Sequence, residues 1–356
     1  MLPQMAPPPK PPSVVAYCTD SAGMNQQAHT LLNKIRIISR TKYTHIELGW
    51  SDLEAYVKSA GLAGSDEERL VKAAKDVRTL CNDLEIGILA VHTLSRFEGY
   101  TDPAKRGMNF ERARLWFHVL STLECDLLQV GSSDDPASSP DLDVIVRDFQ
   151  ELADLAAEQD PPISIAYENW AWGVHVNTWE QTWEICKRVD RPNFGLCLDT
   201  FQICARTYVS PTSPPHLYDP SAPFEKFSQS MNNLINTVSP EKIFYLQISD
   251  GSNKISSHEL AQRAKAQSIH PLYAWSKAWR PLPFMDKIPV NSEEKVDYGG
   301  FLPVAEVVRA VLATGWDGPW SYEVFYEEDM SRPEPGITLK WVRAGMASHD
   351  KMLEEL

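Results

Sequence analysis

The chain has 356 residues, is 43% hydrophobic and carries 11 Trp, enough apolar area for one large core or two ordinary ones. Its formal net charge of −14 argues against a nucleic-acid partner, whose binding rests on Lys and Arg neutralising phosphates. A small anionic ligand stays open, because a few Arg residues can set the field of a pocket. No apolar run approaches the length of a membrane span, so no membrane partner is expected.

The chain begins with a Pro-rich stretch, "MLPQMAPPPKPPS" (residues 1–13), that lacks the apolar segment of a signal peptide. It reads as a flexible tail before a single domain over 14–356. Six scattered cysteines without a CxxC pair read as reduced packing residues, in keeping with a cytoplasmic protein. Nothing in the composition opposes assembly into a homo-oligomer.

Short β-branched runs then alternate with amphipathic segments. Strands are predicted at 14–18, 45–48, 87–92, 127–131, 163–168, 194–199, 243–249 and 319–325. Helices are predicted between them, among others at 66–84, 109–124 and 143–159. The segment "PVAEVVRAVLATG" (303–315) has Pro at its start and Gly at its end, the asymmetry expected of helix termini. Eight strands with interposed helices point to an α/β fold, a (β/α)8 TIM barrel, with a doubly wound sheet as the alternative. No GxGxxG follows the first strand, which weakens a dinucleotide-binding form of that alternative. The connection 250–298, after the seventh strand, is long and holds Trp275, Trp279, Arg280 and two His. A connection of that length and aromatic content reads as ordered and functional.

In such a barrel the C-terminal ends of the strands face the active-site mouth. Reading those positions gives Glu47, His92, Gln129, Glu168, Asp199, Gln247 and Glu323. A carboxylate ending a buried strand is costly unless paired, hydrogen-bonded or bound to a cation. Glu168, Asp199, Gln247 and Glu323 together make an oxygen-rich set suited to a divalent metal: Mg2+, Mn2+, Co2+ or Zn2+. Singly, each has a plainer reading: Asp199 suits a helix N-cap and Gln247 a structural amide. His92, His175 and His270 are further candidates, each also open to a structural role. After Glu168, Trp170 and Trp172 are close enough to wall a pocket, whereas Trp179 and Trp183, four apart on the next helix, suit core packing.

At these residues the chain resembles the sugar phosphate isomerase/epimerase superfamily, the xylose-isomerase-like TIM barrels. Within it, the nearest likeness is to the 3-dehydroshikimate dehydratases of quinate breakdown. The likeness is strongest over 161–206 and resumes in "KIFYLQISD" (242–250), "YAWSKAWR" (273–280), "YGGFLPV" (298–304) and "GPWSYEVF" (318–325). Before residue 125 only "YTHIELGWSDL" (43–53) and "SRFEGY" (95–100) carry it. The resemblance implies that Glu168, Asp199, Gln247 and Glu323 are the four protein ligands of a divalent metal. It also implies that Ser276 and Arg280 bind substrate, Arg280 holding a carboxylate in its fork. A surface ion pair is the plainer reading of Arg280.

One position departs from the pattern. The dehydratases commonly carry a His three residues after the sixth-strand Asp, where it looks like the general base; here that residue is Gln202. An amide cannot take a proton near neutral pH. The base is then sought in His92, His175, His270 or Glu47, with Gln202 and Trp172 as substrate contacts. The expected activity is that of a metal-dependent lyase, a dehydratase turning 3-dehydroshikimate or a similar cyclic enone acid into protocatechuate. The small-molecule partner is then a carboxylated polyol or enone. A keto-sugar isomerase or epimerase, with Glu168 and Glu323 as acid and base, needs no His at 202 but leaves WSxxxR unexplained. A secondary-metabolism enzyme or non-catalytic binder derived from the same barrel is the third reading.

Overall fold

A computed structural model describes residues 11–209, 223–288 and 296–356; the first ten residues of the predicted tail lie outside them. Ten strands follow in chain order: β1 (Val15–Cys18), β2 (His45–Gly49), β3 (Gly87–Leu94), β4 (Leu127–Gly131), β5 (Ser164–Glu168), β6 (Phe194–Asp199), β7 (Ile243–Ile248), β8 (Trp279–Arg280), β9 (Trp320–Tyr322) and β10 (Phe325–Tyr326). The first seven pair in parallel, and β9 closes the ring by pairing with both β7 and β1. This is the expected (β/α)8 barrel and not a doubly wound sheet. The barrel strands are covered on both faces, which is why they read as nearly continuous apolar runs.

The large core lies between the strands and the surrounding helices, where Ile35, Val77, Leu120, Phe149, Ile185 and Val308 are fully enclosed. A smaller cluster, Ala90, Leu127, Ala166, Cys197 and Tyr245, fills the barrel's interior. Local capping fixes where helices begin. Ser65 with Glu68 and Thr178 with Gln181 form capping boxes for the helices 66–83 and 179–189. Asp102 caps a helix that opens on Pro103, six residues before the predicted start, because Pro at the first position needs no hydrogen bond there. All six cysteines are free and buried, as the scattered spacing implied.

The last predicted strand is corrected. Residues 319–325 read as one run, but the barrel strand ends at Tyr322, and Phe325–Tyr326 pairs antiparallel with β8 from the long connection. That connection is mostly ordered: it holds helices 257–267 and 271–278 before β8, and its residues 289–295 lie outside the described residues. The β8–β10 ribbon sets Arg280 opposite Phe325, two residues from Glu323. The split strand therefore positions the site.

Candidate active site at the barrel mouth

Glu168 ends β5, Asp199 ends β6, and Glu323 follows β9, so three acids meet at the C-terminal mouth. Their oxygens lie within 4.8 Å of one another, and all three side chains are buried. Glu168 Oε2 accepts from Gln129 Nε2 and from Trp170 Nε1, both at 2.8 Å, while its Oε1 is buried without a partner. The Trp170 indole reaches that oxygen by lying over Gly131, where a Cβ would meet the ring at 2.3 Å. Asp199 is a helix N-cap, as expected, and an ion-pair partner as well. Its Oδ1 caps the helix 200–207 by accepting from Gln202 N at 2.8 Å, and its Oδ2 accepts from the Arg280 guanidinium.

Arg280 is the cation of the cluster. Its Nη1 lies 2.8 Å from Glu323 Oε2, its Nη2 holds Asp199, and its Nε donates to Ser249 Oγ at 2.6 Å. Arg280 is only 1% exposed, so a surface ion pair is excluded. On its other oxygen, Glu323 faces His92 Nδ1 at 3.3 Å, and His92 Nε2 lies 3.2 Å from Cys18 Sγ.

Electrostatics follow from this crowding. Burial, then the Asp199 and Glu323 charges, push Glu168 well above the ordinary carboxylate range. Burial likewise raises Asp199 to about 7, although Arg280 opposes it. For Glu323, burial is outweighed by Arg280 and His92, which hold it below its ordinary value. Burial disfavours the His92 imidazolium, but Cys18, Glu47 and Glu323 overcome it and raise that pKa well above the usual value.

Gln247, expected beside these acids, is tied to them indirectly. Its Oε1 accepts from Gln129 Nε2 at 3.3 Å, and its Nε2 donates to Glu47 Oε1 at 2.8 Å. Glu47, a candidate base, is fully buried and takes further hydrogen bonds from Tyr245 and Ser321. It organises a polar layer inside the barrel and does not line the cleft.

The cleft above the acids encloses ≈ 520 Å³, and its walls include His92, Trp172, Gln202, Ser276, Arg280 and Glu323. Trp172 stacks on Tyr273 with ring centroids 4.8 Å apart. Gln202 accepts from Ala171 N at 2.8 Å through its amide oxygen, stitching the segment after β5 to the start of the next helix. The other two histidines fall outside this lining. His175 Nε2 pairs with the Ser138 carbonyl at 2.9 Å, and His270 caps the helix 271–278 by accepting from Leu272 N. Trp179 is buried with its Nε1 on Ser230 Oγ, as core packing requires, and Trp183 packs partly buried at the core's edge.

Two buried charged features carry no signal in the sequence. Lys34 and Asp52 form a buried pair at 2.8 Å in the cleft wall, and each lies in a helix where a charge ordinarily faces water. Glu98, within "SRFEGY", is also buried, accepting from Ser133 N at 2.7 Å and Tyr167 Oη at 3.0 Å. Burial lifts Glu98 to about 7. Between the unfolded value and about 7, the folded chain keeps a proton that the unfolded chain has released, so stability falls as pH rises through that window. Glu98→Gln should remove this slope, gaining up to ~3 kcal/mol on the wild type between pH 5 and 8. Urea midpoints of both proteins at the two pH values check it; a constant difference would contradict it.

Residues 35–345 match the family described as "Xylose isomerase-like TIM barrel". The chain is 31% identical over 354 residues to a 3-dehydroshikimate dehydratase of Neurospora crassa, covering 97% of this chain and 95% of that one. It is 28% identical over 332 residues to the protein of the same name from Pseudomonas aeruginosa. That match covers 92% of this chain and 41% of the relative, so the chain spans about two fifths of its length. Among solved structures, the IOLI protein, described with a binding zinc atom, is similar in fold at a TM-score of 0.64. It is 17% identical, and the match covers 96% of this chain and 98% of that one. With a closed eight-stranded barrel, acids gathered at its mouth and a family match across most of its length, the chain belongs to the xylose isomerase-like TIM barrel family.

Proposed function

We propose that this protein is a divalent-metal-dependent 3-dehydroshikimate dehydratase, releasing protocatechuate and water. The observation that carries the reading is kinship with the Neurospora crassa enzyme of that name over nearly the full length of both chains. The residues at the mouth fit a divalent ion. Glu168 presents a buried, unpartnered oxygen, and Asp199 and Glu323 stand within reach of the same point. Gln247 Oε1 is the fourth oxygen donor we assign. All four are oxygen ligands, which leaves Mg2+, Mn2+, Co2+ and Zn2+ in play. When bound, the metal supplies a Lewis acid for the substrate's ketone and neighbouring hydroxyl.

The chain's own residues do the rest. Arg280 and Ser276 line the cleft beside the acids, and a guanidinium holds a planar carboxylate in two parallel hydrogen bonds. The Trp172–Tyr273 stack gives a flat apolar wall for a six-membered ring. Among the described residues His92 is the histidine that lines the cleft, and Glu323 anchors its Nδ1 side. We assign it proton transfer as the imidazolium favoured by its acidic neighbours, which hands a proton to the departing hydroxide. The reaction removes one ring proton made acidic by conjugation to the ketone and one hydroxide, together as water. The remaining ring tautomerises to the catechol, and aromatisation drives the step.

Chelator-treated protein reloaded with each of the four metals in turn is mixed with 3-dehydroshikimate. Growth of catechol absorbance with at least one metal, and its loss on renewed chelation, is the expected result. No product with any of them would overturn the reading.

A further inference from the structure

We infer that Arg280 and the divalent cation compete for the same two carboxylate oxygens, so that loading the site turns the Arg280 guanidinium from Asp199 and Glu323 toward the substrate's carboxylate. This inference rests on the metal-dependent reading above.

Carboxylate oxygens are scarce at the barrel mouth. Each of the three acids has two. Asp199 Oδ1 is committed to the Gln202 backbone, Glu323 Oε1 faces His92, and Glu168 Oε2 serves Gln129 and Trp170. Of the remaining three, Glu168 Oε1 is unpartnered, while Asp199 Oδ2 and Glu323 Oε2 are both held by Arg280. A cation held by one oxygen from each acid would gain the Glu168 oxygen freely and would have to take the other two from the guanidinium. Keeping both cations on the same oxygens is opposed by direct repulsion between charges on buried side chains.

The surroundings of Arg280 allow the exchange. Its Nε stays on Ser249 Oγ, and the rings of Phe201 and Phe325 lie 5.1 and 5.8 Å from its guanidinium carbon. The β8–β10 pairing fixes its backbone. The two Nη atoms are the mobile end, and Arg280 already lines the cleft where the substrate sits. Asp199, by contrast, is fully buried and absent from that lining, so the guanidinium also covers the approach to it. Metal loading then precedes carboxylate capture, and the two bindings support one another.

The test is calorimetric titration of Mn2+ into chelator-treated wild type, Arg280→Gln and Arg280→Lys. Arg280→Gln is expected to bind one Mn2+ per chain about tenfold or more tightly than wild type. Arg280→Lys keeps a cation for folding but cannot fork two oxygens, and should fall between them. Millimolar methylguanidinium should weaken Mn2+ binding to Arg280→Gln and leave wild type unaffected. One Mn2+ per chain with equal or weaker affinity in both variants overturns the competition and leaves the metal site standing. Failure of all three proteins to bind Mn2+ overturns the competition together with the metal reading.

Discussion

Glu168→Gln, Asp199→Asn and Glu323→Gln should each lose stoichiometric metal and lower the dehydration rate by a factor on the order of 10³ or more. Each change keeps the side chain's shape and one carbonyl oxygen, which at 168 can still accept from Gln129 and Trp170. Asn at 199 still caps the following helix through the oxygen that now accepts from Gln202 N. What is lost is charge. A divalent ion held by buried oxygens needs the summed negative charge of the three acids, and an amide donates far less.

Stability should move the other way for Glu168. Burial and the two neighbouring acids already disfavour its ionised form, so the neutral amide relieves repulsion in the chelator-treated protein. A thermal midpoint equal to or above wild type, with metal and activity gone, separates a lost site from a lost fold. Full metal content by mass analysis in Glu168→Gln and Asp199→Asn would remove these residues from the ligand set.

His92→Asn should lower turnover about 10²- to 10⁴-fold while the protein still takes up one metal per chain. The ring lies between Glu323 and Cys18, at 3.3 and 3.2 Å, and faces the cleft. Cys18 is a weak partner for a ring nitrogen, so Cys18→Ala should change turnover little. Asparagine can still hydrogen-bond Glu323 but cannot carry a proton, which isolates transfer from positioning. Steady-state rates with metal content measured in parallel decide the point. Unchanged kcat in His92→Asn would send the proton to another group.

The barrel was legible in the chain because its strands are buried on both faces and its helices are amphipathic, two patterns that sequence periodicity reports directly. β4 and β6 occur with the bounds the sequence predicts. The split after Tyr322 was not legible, since Val324 and Phe325 continue the apolar run, while Phe325 and Tyr326 pair with a strand more than forty residues upstream. The three acids could be found because a carboxylate ending an apolar strand demands an explanation. Their relation to Arg280 could not, because a guanidinium can serve a substrate or a protein acid equally well, and only the fold chooses. Glu47 and the two excluded histidines show the same limit from the other side. Their residue types suit proton transfer, yet Tyr245, Gln247 and Ser321 enclose Glu47, and Ser138 and Leu272 engage His175 and His270.

One proton NMR experiment in D2O separates dehydration from isomerisation, with metal-loaded protein given 3-dehydroshikimate in one tube and a panel of ketoses in another. A dehydratase gives aromatic signals of protocatechuate growing in the first tube and ketose signals unchanged in the second. Deuterium entering a ketose carbon, with 3-dehydroshikimate left intact, would contradict it and assign the barrel to isomerisation.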